Sequence, residues 1–218
     1  MCGRFALASD DREMMSRFHL SATVQARATY NAVPGMFSPI ILRKSPNKAI
    51  LARWGLVPHW AKDHRIGYKM INARAEGIEN KPSFRRAFRS QRCLVPTTGF
   101  YEWKSVEGEK VPFFIHLKDQ SLFAFAGLWE EWKDAEGRPL ITFTIITTTP
   151  NDLVSPIHDR MPVILSNEDV ETWLDPNVTE PERLLPLLDP YPQKTMEAYP
   201  VSTLVNSPRN DSPDLIAR

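Results

Sequence analysis

The sequence lacks the features that mark secreted, membrane and metal-binding proteins. Its 218 residues include only two cysteines, Cys2 and Cys93, too few for a disulfide framework or for a zinc site built from Cys-x-x-Cys pairs. None of the five histidines shows a ligand spacing such as His-x-x-x-His, so we expect no metal site. No run of about 18 apolar residues is present, and the N-terminus has no charged segment followed by an apolar run. We therefore expect a protein of the cytoplasm, or of the nucleus in a eukaryote, with no membrane partner.

The small net charge of +1 conceals an uneven distribution of charge along the chain. Residues 62–92 carry nine lysines or arginines and three acidic residues, whereas residues 150–218 carry twelve acidic and five basic residues. A surface for a polyanion is therefore expected in the middle of the chain and not in its last third. A basic helix face that is merely solvated is the alternative interpretation, because runs of charge usually serve solubility.

The order of the predicted elements indicates an α+β fold. Apolar and threonine-rich runs predict strands at 39–43, 49–56, 111–117, 122–129 and 140–147, with a turn at 44–48. Helical patterns occur at 10–20, 83–90, 166–174 and 180–188, and Ser166 and Asp169 are spaced as a capping box. We expect a curved, largely antiparallel, barrel-like sheet with peripheral helices in a single domain over 1–218. The polar residues 206–218 are expected to form a poorly ordered tail.

The chain begins Met1-Cys2-Gly3-Arg4, which can generate an unusual functional group. A methionine before so small a residue is normally removed, leaving Cys2 with a free amine of pKa about 7.7 to 8.0 beside a thiol of pKa about 8.5. Such a pair suits an aldehyde, because the amine forms an imine and the thiolate closes it to a thiazolidine. The alternative is an ordinary cysteine near a frayed terminus.

Six motifs follow one another along residues 1–162: Met1 to Phe5, Tyr30 to Gly35, Trp54 to Pro58, Ile71 to Glu76, Gly99 to Lys104 and Ile157 to Pro162. As a set they resemble the motifs of the SRAP family, known as abasic-site processing proteins. The N-terminal-nucleophile glutamine amidotransferases also begin Met-Cys-Gly, usually with Ile next, but no further motif of theirs is present. The set is specific, although any single hexapeptide would be weak.

The resemblance implies an enzyme of one SRAP domain, monomeric and without a cofactor. It would crosslink through Cys2 to abasic sites in single-stranded DNA and shield the lesion, after an autoprocessing or peptidase-like removal of Met1. By the same resemblance Glu102 is the acid/base residue, His158 assists opening of the sugar ring, and Asn72 orients the amine and the sugar. The residues themselves agree, since the aromatic neighbours of Glu102 are expected to raise its pKa.

Arginines and tryptophans are the candidates for contacts with DNA. The arginines that could hold phosphates are Arg4, Arg74, Arg85 and Arg160. The tryptophans that could stack on bases are Trp54, Trp60 and Trp103, although tryptophans in strands more often belong to the core. Cys93, in an apolar run, is expected to be buried and inert.

Two other functions remain open at this point. An N-terminal-nucleophile amidohydrolase would use Cys2 to form a thioester on an amide such as glutamine and would release ammonia. A noncatalytic module for single-stranded DNA would retain binding after Cys2→Ala and would show only salt-sensitive complexes.

Overall fold

The computed structural model describes residues 2–218, and strands dominate that part of the chain. In chain order the strands are β1 (Phe5–Leu7), β2 (Thr29–Ala32), β3 (Phe37–Leu42), β4 (Ser45–Trp54), β5 (Asn72–Arg74), β6 (Arg92–Thr97), β7 (Gly99–Val106), β8 (Glu109–Leu117), β9 (Phe123–Lys133), β10 (Pro139–Thr148), β11 (Met161–Pro162), β12 (Ile164–Leu165) and β13 (Met196–Pro200). The α-helices are α1 (Asp11–Arg17), α2 (Arg85–Ser90), α3 (Asn167–Leu174) and α4 (Pro181–Leu184). Short 3-10 helices cover His64–Lys69, Leu185–Leu188, Gln193–Thr195, Thr203–Asn206 and Pro213–Ile216.

The strands form two sheets. Strands β10, β4, β3, β6 and β9 pair in that order and β9 pairs again with β10, so these five close into a barrel. Short strands β5 and β11 add to β10, and β12 adds to β9. The second sheet is antiparallel, with five strands in the order β13, β8, β7, β1 and β2. Closure of the barrel leaves no exposed edge among its five strands.

An aromatic core joins the second sheet to the barrel. Phe5 of β1 lies 5.1 Å from Trp54 of β4, between ring centroids, and Trp54 stacks on Phe143 of β10 at 6.3 Å. Burying each such ring contributes up to about 3 kcal/mol. Gly99 opens β7 opposite Ala6, and a Cβ at Gly99 would lie 2.3 Å from the Phe114 ring. Only glycine therefore lets β7 start so close to β8.

The α+β fold, with a largely antiparallel and barrel-like sheet, is confirmed. The parallel pairs β4–β10 and β5–β10 are its exceptions. The five predicted strands are present, but β4 already starts at Ser45, inside the predicted turn. Sequence patterns missed β6 and β7, which are buried on both faces over much of their length and so do not alternate.

The predicted helices are present but shorter than expected. Ser166 caps α3 through the capping box that its spacing from Asp169 predicts. Helix α1 ends at Arg17, just before His19 with φ 52°, a left-handed conformation that a helix cannot continue through. The predicted helix 180–188 divides into α4 and a 3-10 helix at Pro186, which has no backbone N–H to donate. None of the helices in residues 2–218 is long and apolar enough to span a membrane.

The C-terminal residues 206–218 differ from the poorly ordered tail that their composition predicts. They pack against the outer face of the second sheet, where Leu215 is buried in a cluster with Tyr101 and Phe114. Two 3-10 turns and hydrogen bonds to β2 fix their path. Polar composition failed as a guide because the segment is held partly by backbone carbonyls, which every residue carries, and partly by single side chains such as Asp211 and Leu215.

Candidate active site

Cys2 lies just before β1 and is fully buried, with 0% of its surface exposed. Strand β1 is held against β7, where the Tyr101 N–H donates to the Arg4 carbonyl at 3.0 Å. The Cys2 sulfur lies 3.9 Å from the same carbonyl oxygen. Burial, and then the negative charge of Glu102, raise the pKa of the Cys2 thiol. The thiol is therefore protonated at neutral pH until a base accepts its proton.

Glu102 supplies a carboxyl group next to this thiol. It lies on β7 opposite Phe113, and only 2% of its surface is exposed. Burial raises the pKa of Glu102 from 4.5 to about 7. Near neutral pH both forms of the carboxyl group are populated, so Glu102 can both accept and donate a proton.

His158 approaches Glu102 from the loop that precedes β11. Its Nε2 lies 3.8 Å from Oε2 of Glu102. Its Nδ1 lies 3.0 Å from the backbone nitrogen of Arg160 and 2.9 Å from the Asp159 carboxylate. The Arg160 N–H needs an unprotonated Nδ1 as acceptor, whereas the carboxylate favours a protonated Nδ1 as donor. We assign Nδ1 as the acceptor from Arg160, because Asp159 is solvated with 86% of its side chain exposed and because burial lowers the pKa of His158. The proton of the neutral ring is then on Nε2, toward Glu102.

Asn72 opens β5 on the barrel side of the site. Its Nδ2 donates to the Ile71 carbonyl at 3.1 Å, and that carbonyl also accepts from Nε1 of Trp54 at 2.9 Å. Ile71 packs against the same core cluster that contains Cys2. The Oδ1 atom of Asn72 is buried and has no hydrogen-bond partner within residues 2–218, so it is an acceptor for an incoming N–H or O–H.

Arg160 connects the histidine loop to the segment that follows β5. Its Nη1 and Nη2 donate to the two carboxylate oxygens of Glu76 at 2.5 and 3.0 Å, and Nη2 also donates to the Thr147 carbonyl at 2.6 Å. The hydrogen bond from Arg160 lowers the pKa of Glu76. These contacts engage both Nη groups of the guanidinium that the sequence assigns to phosphate, while its buried Nε has no hydrogen-bond partner within residues 2–218. Sequence reasoning missed Glu76, although a largely buried arginine requires a carboxylate or carbonyl partner.

The other arginines divide into exposed and occupied groups. Arg74 at the end of β5 and Arg85 at the start of α2 are exposed, and Arg85 lies beside the exposed Arg89. Arg92, counted in the basic segment, is instead buried and donates to five backbone carbonyls. Arg4 donates to the Asn31 side chain and to two carbonyls near the C-terminus.

The tryptophans also differ in exposure. Trp54 is 1% exposed and belongs to the core, so no base can reach its face. Trp60 is 55% exposed and is free to stack on a ligand. Trp103 is partly exposed, and its Nε1 donates to Oδ1 of Asn206 at 2.8 Å.

Acid/base groups and one thiol therefore meet where β1, β7 and the histidine loop come together. Within the described chain there is no group of three His, Cys, Asp or Glu side chains that could hold a metal ion. The arrangement suits nucleophilic attack by sulfur with proton transfer by Glu102 and His158.

Comparison with known proteins extends this description. A family model described as SOS response associated peptidase (SRAP) matches residues 1–208. The abasic site processing protein YoqW of Bacillus subtilis is 51% identical over 99% of both chains. The abasic site processing protein HMCES of Gallus gallus is 32% identical, over 87% of this chain and 66% of that protein.

Solved structures resemble the whole fold. A crystal structure of a protein from Bacteroides thetaiotaomicron superposes with a TM-score of 0.92 at 31% identity, covering 100% of this chain and 99% of that chain. A second, from Bordetella bronchiseptica, superposes with a TM-score of 0.81 at 26% identity, covering 92% and 100% of the two chains.

Proposed function

The chain belongs to the SOS response associated peptidase (SRAP) family, and from that premise we propose that it captures abasic sites in single-stranded DNA by forming a thiazolidine through Cys2. Relatives that are 51% and 32% identical are named abasic site processing proteins. The observation that carries the proposal is a buried thiol within the electrostatic influence of a buried carboxyl group, whose pKa is about 7 and which lies 3.8 Å from a histidine nitrogen.

The first step is removal of Met1. While the Met1–Cys2 bond is intact, the nitrogen of Cys2 belongs to an amide and is not a nucleophile. Hydrolysis adds one water across that bond, releases methionine and leaves an amine on Cys2. Glu102 and His158 can support this hydrolysis as they support the later steps, and the fully buried Cys2 has to be uncovered before a sugar can reach it.

Capture then proceeds by proton transfers among the same groups. The Nε2–H of His158 gives its proton to the ring oxygen as the bond from that oxygen to C1′ breaks, and the C1′ hydroxyl gives its proton to the same nitrogen, which leaves an aldehyde and a neutral histidine. The Cys2 amine adds to C1′, protonated Glu102 gives its proton to the resulting hydroxyl, and one water leaves to give a protonated imine. The Glu102 carboxylate next accepts the thiol proton, and sulfur adds to the carbon of the protonated imine, which leaves a neutral ring nitrogen. The net change is loss of one water.

Exposed groups would hold the strand around the lesion. Arg74 and Arg85 are the exposed arginines of the sequence prediction, and Trp60 is its exposed tryptophan. Phosphate contacts and stacking do not read the bases, so binding would tolerate any flanking sequence. Selectivity for the lesion would come from the chemistry, because only an abasic sugar opens to an aldehyde.

The test mixes purified protein, with Met1 removal verified by mass spectrometry, with single-stranded DNA that carries one abasic site. We expect a product that survives denaturation and high salt, formed by wild type and by Cys93→Ala but not by Cys2→Ala. Intact DNA should give no such product. If processed wild type gives no covalent product, the proposal is wrong. Glutamine hydrolysis would then indicate the amidohydrolase, and salt-sensitive binding that is indifferent to Cys2→Ala would indicate a noncatalytic module.

A further inference from the structure

Residues 203–211, here called the C-terminal strap, lie across the strands that carry the nucleophile. The first residues of a chain are usually poorly ordered unless another element holds them. A nucleophile at position 2 must nevertheless be held close to its working geometry, because small displacements are costly for reaction rates. The contacts of the strap with β1 and β2 provide such a hold.

Asn31 of β2 is the centre of these contacts. It is 99% buried, and its Nδ2 lies within hydrogen-bond distance of three strap carbonyls. The three acceptors are Val205 O at 3.3 Å, Ser207 O at 3.0 Å and Asn210 O at 2.8 Å. Its Oδ1 accepts from Nη1 of Arg4 at 2.7 Å. One amide side chain therefore joins the strap to the residue two positions after Cys2.

Arg4 is bound to the strap directly as well. Its Nη1 donates to Val205 O at 2.5 Å and its Nη2 donates to Asn206 O at 3.2 Å. Its own carbonyl accepts from Tyr101 N, next to Glu102, and lies near the Cys2 sulfur. The side chain of Arg4 thus transmits the position of the strap to the peptide that precedes β1.

Asp211 closes the far end of the strap. Its Oδ1 accepts from the Tyr30 N–H at 2.5 Å, and its carboxylate oxygens lie 3.2 and 3.3 Å from the Thr29 hydroxyl. The Tyr30 carbonyl in turn accepts from the Tyr101 hydroxyl at 2.7 Å. The strap is therefore attached to β2 at both ends and through β2 to β7.

We propose that the C-terminal strap positions Cys2 for reaction and that Asn31 and Asp211 are its positioning residues. This inference rests on the proposed capture of abasic sites through Cys2. It also changes the role of Arg4, whose planar guanidinium binds the strap and not a phosphate. The tail of the chain is then part of the active-site framework, although it contributes no reacting group.

The principal variant is Asp211→Ala, since Asp211 is exposed and its loss spares the core. We expect the rate of covalent capture at saturating DNA to fall about tenfold or more through misplacement of Cys2, with DNA affinity in a Cys2→Ala background unchanged. Hydrogen exchange of the backbone amides of residues 3–7 should rise in parallel. Asp214→Ala is the matched control, because within residues 2–218 the only hydrogen bond to the Asp214 carboxylate comes from Ser212 of its own turn.

Arg4→Lys distinguishes positioning from phosphate binding. Lysine keeps the positive charge but not the planar fork, so a positioning role predicts slower capture by Arg4→Lys, whereas a phosphate contact predicts capture close to wild type. A positioning role also predicts an unchanged salt dependence of DNA binding by Arg4→Ala. A phosphate contact predicts the salt slope of log affinity to change by about 0.7 when Arg4 is replaced by alanine. Asn31→Ala should change the capture rate and the hydrogen exchange of residues 3–7 in the same direction as Asp211→Ala, and by more.

The inference is overturned if Asp211→Ala leaves both the capture rate and the exchange of residues 3–7 at the level of Asp214→Ala. A salt slope that falls in Arg4→Ala would overturn the reassignment of Arg4. If wild type itself forms no crosslink, the proposed function fails, and the exchange measurement still decides whether the strap holds the N-terminal strand.

Discussion

The two cysteines have the same burial and belong to the same apolar cluster, but only Cys2 is influenced by a titratable side chain. Cys2 and Cys93 are both fully buried, and burial raises the pKa of each thiol. Cys2 lies just before β1 and is influenced by the charge of Glu102, which the histidine loop approaches. Cys93 lies within the closed barrel, so tightly packed that a Cβ on Gly127 would be 2.9 Å from its sulfur. Chemistry is therefore determined by the titratable partner and not by burial.

The largest expected effect is on the rate of covalent capture and comes from replacing Glu102, the titratable partner of Cys2. Glu102→Gln should lower the rate of covalent capture by about 10²- to 10⁴-fold, the usual contribution of a general acid/base. With transfer of the thiol proton to the ionised carboxylate as the slowest step, the wild-type rate should rise with pH through about 7, whereas slow protonation of the hydroxyl would make it fall; either inflection should vanish in the variant. Rates of crosslinking from pH 5.5 to 8.5 test both points. Glu131→Gln, at an exposed position of β9, is the control, and a Glu102 variant within threefold of wild type would contradict the role.

Arg92, the residue before Cys93, has a structural role. Arg92→Met should lower the free energy of unfolding by about 3 to 5 kcal/mol, because it leaves buried carbonyls without donors. The carbonyls belong to Phe88, Arg89, Trp173, Asp175 and Val178. Urea denaturation measures the loss. Arg89→Met, at an exposed position of the preceding helix α2, should change the free energy of unfolding by less than about 0.5 kcal/mol. Equal losses of unfolding free energy in Arg92→Met and Arg89→Met would refute the structural role of Arg92.

The buried carboxyl of Glu102 should also make stability depend on pH. Its folded pKa of about 7 lies above the value of 4.5, so the folded state binds the extra proton between these pH values and wild type loses stability as pH rises through that window. Glu102→Gln should therefore gain up to about 3 kcal/mol over wild type between pH 5 and pH 8. Denaturation at the two pH values measures the difference, and a difference independent of pH would contradict the burial of an ionisable group.

The smallest effect is expected for the second cysteine. Cys93→Ala removes one buried sulfur atom and should cost about 1 kcal/mol of stability through the small cavity that it leaves. Its capture rate should equal that of wild type once the folded fraction is taken into account. A crosslinking defect in folded Cys93→Ala would mean that the barrel interior contributes to the reaction.

Prediction from the sequence succeeded where the pattern is local. The capping box at Ser166 and the β-rich runs at 111–117 and 140–147 correspond to α3, β8 and β10. Prediction failed for β6 and β7, since strands covered on both faces show no alternation. The apolar neighbours of Glu102 predicted a raised pKa, and burial in the folded chain raises it to about 7.

Residue type alone did not predict which arginines are exposed and which are engaged in contacts. Arg74, Arg92 and Arg160 look alike in the sequence. In the fold Arg74 is exposed, Arg92 is buried and donates to five backbone carbonyls, and Arg160 is paired with Glu76. The same holds for Trp54 and Trp60, of which only the second reaches the surface. Exposure depends on contacts between residues far apart in the chain, and no local pattern encodes them.

By itself, the sequence determined which reactive groups the protein carries: a cysteine at position 2, a glutamate among aromatic residues and a histidine in a polar loop. Their reactive groups are properties of single side chains and their immediate neighbours. Only the tertiary structure decided which groups meet, which arginines are occupied, and that residues 203–211 hold the N-terminal strand. The reason is physical, because burial and hydrogen bonding between distant segments set both the pKa of a group and the freedom of its side chain.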